Sequence, residues 1–271
     1  MNVTVSDIRK AIEGLGASGY PLCVHSSLSS FGWVEGGARA IIDGLLAEGC
    51  TMLVPTFSGA FGIPPPPGRR IAQNACDYDA WEEATSGIGR VFTPDTDEID
   101  GYMGTIPAAL LKTERRVRGN HPLSSFTAVG PVADELIAGQ APMSWFAPLE
   151  TLVKKRGFVV LMGVGLTRMT LIHLAEHRAG RNIFIRWANG PDGKPMEVQV
   201  GGCSRGFGKF ERVLAPLGQQ VTVGRSNWRV FPAQDVLEAA EKAIRADPMI
   251  THCGDPDCAR CDDAVRGGPG L

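Results

Sequence analysis

The sequence has no long hydrophobic segment, no leader-like N-terminus and no strong excess of either charge. No apolar run approaches the roughly 18 residues of a membrane-spanning helix. The first ten residues lack the basic and then apolar regions of a signal peptide. The net charge of −2 over 271 residues gives no general attraction to nucleic acid or anionic membranes. We therefore expect a soluble cytoplasmic protein without nucleic acid or membrane partners.

Cysteine is scarce and odd in number, which argues against the disulfide framework of a secreted domain. Three of the seven cysteines lie close together near the C-terminus, in a spacing typical of a structural zinc site. A fourth ligand is needed for tetrahedral zinc, and one further cysteine lies in the later half of the chain. We expect a closed site that fixes the tail, residues 251–271, to the body and takes no part in turnover. The predicted ligands are Cys203, Cys253, Cys258 and Cys261, with His252 as the alternative to Cys203.

Strand-like and helix-like segments alternate along most of the chain. The order strand 21–25, helix 36–47, strand 51–55 predicts a βαβ unit, and hence a partly parallel sheet with helices on its faces. Segments 183–188 and 195–200 predict a hairpin. The sequence therefore predicts an α/β fold, with residues 1–250 forming one domain that carries the cysteine-rich tail.

An irregular, acidic insertion over residues 58–101 interrupts this alternation. Within residues 76–100, eight acids accompany a single basic residue, Arg90; these acids are Asp77, Asp79, Glu82, Glu83, Asp95, Asp97, Glu98 and Asp100. Such a local field would attract a polycationic small molecule and hold its ammonium groups. The alternative is an ordinary solvated loop.

The run from Met169 to His177 contains the most informative motif. On a helix that begins after Thr170, a residue suited to be its N-cap, Glu176 lies three positions beyond His173 and can reach its imidazole. A carboxylate that fixes one ring nitrogen leaves the other free to take a proton, as a general base does. The same letters spell His-x-x-Glu-His, a zinc pattern in which His173 and His177 would bind metal.

Two polar turns each lie next to a predicted strand. The first, residues 25–30, offers small hydroxyl side chains and backbone N–H groups near Gly36-Gly37 at a helix start, which suits a pyrophosphate oxygen. It lacks the Gly-Lys-Ser/Thr of a P-loop. The second turn covers residues 120–125, and we expect its His121 and Ser124 to face a ligand in the same cleft. The alternative is that Pro122 shapes a loop in which His121 has no functional role.

Taken in order, these segments resemble the aminoglycoside N3-acetyltransferase family. The resemblance rests on His25-Ser26-Ser27-Leu28 with Gly36-Gly37, Leu53-Val54-Pro55-Thr56, Met103-Gly104-Thr105-Ile106-Pro107, His121-Pro122, Leu161-Met162-Gly163-Val164 and Thr170-x-x-His173-x-x-Glu176. It implies a three-layer α/β/α fold with His173 as base, oriented by Glu176. It also implies CoA contacts from the turn His25, Ser26, Ser27 and Leu28 and from His121 and Ser124, to which we add Val34. For the amine we expect contacts from Thr56 and from three carboxylates of the acidic insertion, Asp77, Asp79 and Asp97.

We therefore expect an acetyl-CoA-dependent enzyme, a monomer or homodimer, that acetylates the 3-amino group of a 2-deoxystreptamine aminoglycoside by direct transfer. Three alternatives remain at this point. The acceptor could be an amine other than an aminoglycoside, the His-x-x-Glu-His run could belong to a zinc hydrolase, or the protein could sequester CoA or cationic drugs without turnover. The family usually has Arg-Ser-x-His-Pro where this chain has Arg118-Gly119-Asn120-His121-Pro122.

Overall fold

Ten strands and nine α-helices lie within the residues that the computed structural model describes, 2–79 and 86–270. The helices are α1 (Val5–Gly14), α2 (Gly37–Ala47), α3 (Thr105–Leu110), α4 (Ala133–Ile137), α5 (Ala147–Lys154), α6 (Leu171–Arg178), α7 (Glu211–Leu214), α8 (Ala233–Ala246) and α9 (Ala259–Val265). The strands are β1 (Pro21–Ser26), β2 (Thr51–Pro55), β3 (Gly62–Ile63), β4 (Val117–Arg118), β5 (Phe126–Val129), β6 (Phe158–Met162), β7 (Phe184–Asn189), β8 (Pro195–Val200), β9 (Gln219–Val223) and β10 (Ser226–Pro232).

A seven-stranded mixed sheet forms the centre of the protein, in the order β4-β5-β2-β1-β6-β10-β9. Strands β2, β1 and β6 run parallel, and the outer pairs are antiparallel. The carboxyl ends of the three parallel strands therefore meet the amino ends of β5 and β10 at one edge. The prediction of a partly parallel sheet is confirmed.

Two hydrophobic cores lie on opposite faces of this sheet, because successive side chains of a strand point to opposite sides. Cys23 and Leu53 face a core formed with α4, α5, α6 and α8. Leu22 and Val24 face the other core, formed with α1, α2 and α3. Helices thus cover both faces of the sheet, as the sequence predicts.

The predicted hairpin is confirmed as β7 and β8, and β3 of the insertion joins it in a second, three-stranded sheet. The Asn74 side chain donates to the carbonyl of Ile185 and accepts from its N–H, at 2.9 and 2.8 Å. The Arg186 guanidinium donates to the carbonyls of Asn74 and Ala75. Hydrogen bonds between side chains and backbone groups, in both directions, therefore hold the insertion against the hairpin. Glu82 and Glu83 lie outside the described residues.

Two elements lie outside the segments predicted from the sequence. A 3₁₀ helix, Arg205–Phe210, leads into the single turn α7. Strand β9 was not predicted because it is an edge strand with mostly exposed or half-buried residues, so its sequence lacks a hydrophobic face.

The tail packs against the body. The N–H and side chain of Asn182 donate to the carbonyls of Gly267 and Pro269, and the N–H of Ala75 donates to Asp263 on α9. The tail therefore contacts both the insertion and the segment that follows α6. None of the described helices is long and apolar enough to cross a membrane.

Candidate active site

A cleft of about 800 Å³ opens at the edge where the parallel strands end. The turn after β1, the segments that flank β2 and β5, and the start of α6 all contribute to its lining. This is the edge at which ligands bind in open α/β sheets. The sequence-predicted residues that line it are His25, Ser26, Ser27, Leu28, Ser124 and His173.

His173 lies on the cleft side of α6, a helix whose first six residues are all buried. Its Nδ1 lies 2.7 Å from Oε2 of Glu176, so the predicted i, i+3 contact is present. Glu176 is only 8% exposed, and its other oxygen accepts a hydrogen bond from Arg181 at 2.5 Å. Because Nδ1 is engaged, Nε2 of His173 is the nitrogen available to exchange a proton with a ligand. Thr170 precedes the helix but makes no side-chain cap.

Gly201 packs against the imidazole of His173 and the ring of Trp145. A Cβ at Gly201 would lie 2.4 Å from the Trp145 ring and 3.3 Å from Cδ2 of His173. The ring of Phe207 packs edge-on against His173, with ring centroids 4.7 Å apart. The imidazole is therefore held by packing as well as by its hydrogen bond, which leaves it one orientation relative to the cleft.

The turn after β1 brings neutral polar groups to the cleft. Burial, together with the nearby positive charge of Arg168, lowers the pKa of His25 to about 3, so this imidazole is uncharged at neutral pH. The buried hydroxyl of Ser26 has no hydrogen-bond partner among the described residues, which leaves it available to a ligand. Helix α2 begins only at Gly37, outside the cleft lining, and a 3₁₀ helix (Leu28–Phe31) follows the turn instead.

His121 is fully buried and does not line the cleft. Its Nδ1 accepts hydrogen bonds from the backbone N–H groups of Leu123 and Ser124, at 3.3 and 2.9 Å. Burial lowers its pKa to about 4. His121 therefore shapes the turn that presents Ser124 to the cleft.

Two other predicted contact residues are also buried away from the cleft. Val34 packs in the core formed with α1 and α2 and is 7% exposed. The hydroxyl of Thr56 lies 2.8 Å from that of Thr127 and is fully buried. The residues on either side of Thr56 in the sequence line the cleft instead; they are Pro55 and Phe57.

The acids of the insertion are not gathered at the cleft. Asp79 pairs with Arg70 on the surface, Asp77 lies in a separate depression beside the tail, and Asp97 is exposed outside the cleft. Among the described residues, Asp100 is the one acid in the cleft lining, and it accepts hydrogen bonds from the N–H of Gly59. The contiguous acidic wall expected from the sequence is therefore not seen in the described residues, because ion pairing and solvent exposure disperse these carboxylates.

Several lining residues were not found by sequence reasoning; they are Tyr102, Trp145, Arg168, Gly201 and Arg260. Arg168 follows β6, which ends at the cleft, so its place in the sequence could have predicted a position in the lining. Arg260 comes from the tail and reaches the cleft only through the folding of α9. No local pattern marks Arg260 or Trp145, whose positions depend on long-range packing.

The predicted cysteines come together beside the cleft. Their Sγ atoms all lie within 4.8 Å of one another, in the group Cys203, Cys253, Cys258 and Cys261. His252 is engaged elsewhere, because Nε2 contacts Asp262 at 3.1 Å and Nδ1 accepts from the N–H of Gly254. Cys203 rather than His252 is therefore the fourth member. Within the described residues, no candidate metal-ligating group includes His173 or His177, which does not support the zinc hydrolase alternative.

A buried thiol close to His25 offers no nucleophile. Sγ of Cys23 lies 3.7 Å from Nε2 of His25, but burial raises the pKa of the thiol to about 12. With the thiol protonated and the imidazole neutral, this pair does not form a thiolate–imidazolium dyad.

Comparisons with known proteins identify the family of this chain. Residues 23–245 match the family described as aminoglycoside 3-N-acetyltransferase. Aminoglycoside N(3)-acetyltransferase IX of Micromonospora chalcea is 34% identical over 275 residues, covering 90% of this chain and 94% of that protein.

Solved structures show the same fold. Aminoglycoside acetyltransferase AAC(3)-IVa, known as the apoenzyme and as a mutant in complex with gentamicin, superposes with a TM-score of 0.77 at 24% identity and covers 98% of each chain. AAC-IIIb, solved in a binary complex with CoASH, has a TM-score of 0.74 at 21% identity and covers 91% of this chain and 97% of that chain. The resemblance inferred from the sequence motifs is therefore confirmed, and the chain belongs to the aminoglycoside 3-N-acetyltransferase family.

Proposed function

We propose that this protein transfers the acetyl group of acetyl-CoA to the 3-amino group of a 2-deoxystreptamine aminoglycoside, with His173 as the general base. The observation that carries the proposal is the buried His173–Glu176 pair at the wall of the large cleft. Relatives of the same fold supply the substrate classes, since one was solved with CoASH and another with gentamicin.

The reaction is a direct transfer. An ammonium group has no lone pair, so the amine must be deprotonated before or during its attack on the thioester carbon. Nε2 of His173 takes that proton, while Glu176 holds Nδ1 and stabilises the resulting imidazolium. The new N–C bond forms and the C–S bond breaks. Of the two protons that the ammonium nitrogen loses, one passes through His173 to the departing CoA thiolate and the other goes to solvent. The buried thiol of Cys23 is not used, so no acetyl-enzyme forms.

The two substrates meet at the lining already described. The turn 25–28 and Ser124 would contact acetyl-CoA. The hydroxyl of Ser26 has no partner within the part of the chain that the structure describes, so it is available for a hydrogen bond to the cofactor. Asp100 is the carboxylate placed to receive an ammonium group of the acceptor. Positioning both substrates in one cleft removes much of the entropic barrier to their reaction.

The test is thiol release from acetyl-CoA with a panel of aminoglycosides and simple amines, comparing wild type with His173→Ala. General-base catalysis contributes about 10²–10⁴-fold, so kcat should fall by that factor while acetyl-CoA affinity is retained. His177→Ala is the matched control, since His177 lies one turn along the same helix and outside the large cleft. Wild-type turnover in His173→Ala would refute the base assignment, and no turnover with any aminoglycoside would refute the substrate class.

We also propose that the four cysteines hold one structural zinc ion. Four thiolates are a typical zinc ligand set, with Zn–S distances of about 2.3 Å, and the mutual approach of these sulfur atoms fits such a tetrahedron after a small contraction. The ion would fix Cys203 to the tail and so hold Ser204 and Arg260 at the cleft, where both are lining residues.

Metal analysis of the purified protein tests this site. We expect about one zinc per chain, lost in Cys258→Ser together with thermal stability. Cys76→Ser is the matched control, because Cys76 is a half-buried cysteine of the described chain outside the cluster. Full zinc occupancy in Cys258→Ser, or a metal-free wild type, would contradict the proposal.

A further inference from the structure

We propose that Arg181 is a positioning residue for the transfer reaction, which holds the Glu176 carboxylate in the orientation that engages His173. This inference rests on the proposed function, since it concerns the same base. Glu176 accepts from Arg181 through Oε1 and contacts His173 through Oε2. The carboxylate is thus shared between the base and a buried guanidinium.

The guanidinium is itself fixed by three short hydrogen bonds. Its Nη1 donates to Glu176 at 2.5 Å and to the hydroxyl of Thr251 at 2.6 Å, and its Nη2 donates to the carbonyl of Pro248 at 2.6 Å. Arg181 is 7% exposed and Thr251 is 3% exposed. A guanidinium is a rigid planar fork, so anchoring it on Pro248 and Thr251 determines where Oε1 of Glu176 must lie.

The turn after α6 explains why Arg181 reaches back to its own helix. The N–H of Gly180 donates to the carbonyl of His177, and the N–H of Arg181 donates to that of Glu176. These two bonds define a Schellman motif with Gly180 in the left-handed region, at φ 105°. The motif reverses the chain direction and places the Arg181 side chain against Glu176, whose carboxylate lies in the preceding turn.

Charge gives this arrangement its consequence for catalysis. Within residues 2–79 and 86–270, the charged or titratable groups in contact with Glu176 are His173 and Arg181. From the neighbouring elements, segment 248–251 contributes a carbonyl and a hydroxyl, Phe207 packs on His173, and Arg245 of α8 donates to the Arg178 carbonyl. Arg181 places a buried positive charge on the oxygen of Glu176 that faces away from His173, so it compensates the charge of the carboxylate and holds it where its other oxygen engages the imidazole.

The experiment compares Arg181→Met and Arg181→Lys with wild type in steady-state assays that separate kcat from KM. We expect Arg181→Met to lower kcat by roughly 10–100-fold, the cost of a misplaced catalytic group, with KM for acetyl-CoA within about twofold of wild type. Arg181→Lys keeps the positive charge and one donor, so it should restore part of the kcat that Arg181→Met loses.

Two further variants keep the test decisive if Arg181→Met is poorly folded. Thr251→Val removes one anchor of the guanidinium and should lower kcat by severalfold without changing KM for acetyl-CoA. Arg178→Met is the matched control, because it removes an exposed arginine at the end of the same helix, and it should retain wild-type kinetics.

The outcomes separate this inference from the proposed function. If wild type acetylates an aminoglycoside and His173→Ala does not, but Arg181→Met has the wild-type kcat, only the role of Arg181 is refuted. A uniform loss of folded protein in Arg181→Lys and Thr251→Val, with unchanged kcat per folded molecule, would also refute it. If wild type has no activity, the proposed function itself fails.

Discussion

Gly201 lies so close to His173 that a Cβ at this position would contact Cδ2 of the imidazole at 3.3 Å. The same Cβ would lie 2.4 Å from the ring of Trp145, which is buried and cannot move away. Gly201 therefore provides the space in which Trp145 and His173 pack side by side at the cleft.

We predict that Gly201→Ala lowers kcat by on the order of a hundredfold, because displacement of the base by about 1 Å has effects of that size. Steady-state kinetics measure it directly. Gly208→Ala is the control, since Gly208 is exposed, and a Cβ there meets nothing within 4 Å. Equal kcat values for the two variants would show that packing of Gly201 does not position His173.

Cys23→Ala should leave kcat within about twofold of wild type, because the thiol is buried and its pKa is raised to about 12. Mass spectrometry of the wild type mixed with acetyl-CoA alone should detect no covalent acetyl adduct. An adduct that disappears in Cys23→Ala would replace direct transfer by an acyl-enzyme route.

Protein stability should fall as the pH is lowered from about 6.5 toward 5. Burial depresses the folded-state pKa of His25 to about 3 and of His121 to about 4. The unfolded chain takes up protons at these positions below its own pKa of about 6.5, while the folded chain does not, so stability is present above pH 6.5 and is lost on acidification.

The expected contribution is about 1.4 kcal/mol per pH unit for each of the two imidazoles. Urea unfolding at a series of pH values measures the slope, and His121→Asn should reduce it by the share of one proton. An unchanged slope in His121→Asn would show that His121 titrates alike in both states.

Gly119→Ser should destabilise the protein by about 1–3 kcal/mol through overpacking. A Cβ at Gly119 would lie 1.8 Å from Oε1 of Gln140, whose amide bonds to the N–H of Phe126 and the carbonyl of Ser124. The amide of Gln140 thus occupies the space of the serine that is usual in the family.

The double variant Gly119→Ser with Gln140→Ala should be less destabilised than the sum of the single changes, because the clash is gone. Chemical denaturation of all four proteins gives the coupling energy. Strictly additive changes in the free energy of unfolding would mean that the loop carrying residue 119 moves aside and does not clash with Gln140.

Features that depend on local spacing could be predicted from the sequence. The i, i+3 relation of His173 and Glu176 needs only a helix, and the contact is present at 2.7 Å. The hairpin 184–200 follows from alternation around a turn. The cysteine cluster joins distant segments, since Cys203 lies fifty residues before Cys253. It could still be predicted because Cys203 is the one cysteine in the later half of the chain outside the tail.

Features that depend on long-range packing could not be predicted. Thr56 lies in a matching motif, but its side chain points into the sheet toward Thr127, and Pro55 and Phe57 line the cleft. Alternation along a strand decides which neighbour reaches a ligand, and a shift of one residue reverses the answer. Asp77 and Asp79 form an acidic run in the sequence, but ion pairing and chain direction take them away from the cleft.

The sequence by itself determined the mixed α/β class, the family and the contact of His173 with Glu176, because periodicity and short spacings encode contacts within one element. Only the tertiary structure decided what surrounds that pair. Arg181 reaches Glu176 through a Schellman turn and anchors 67 and 70 residues away, and Arg260 enters the cleft from the folded tail. Such contacts join segments remote in the chain, and their geometry follows from the packing of whole elements rather than from any local pattern.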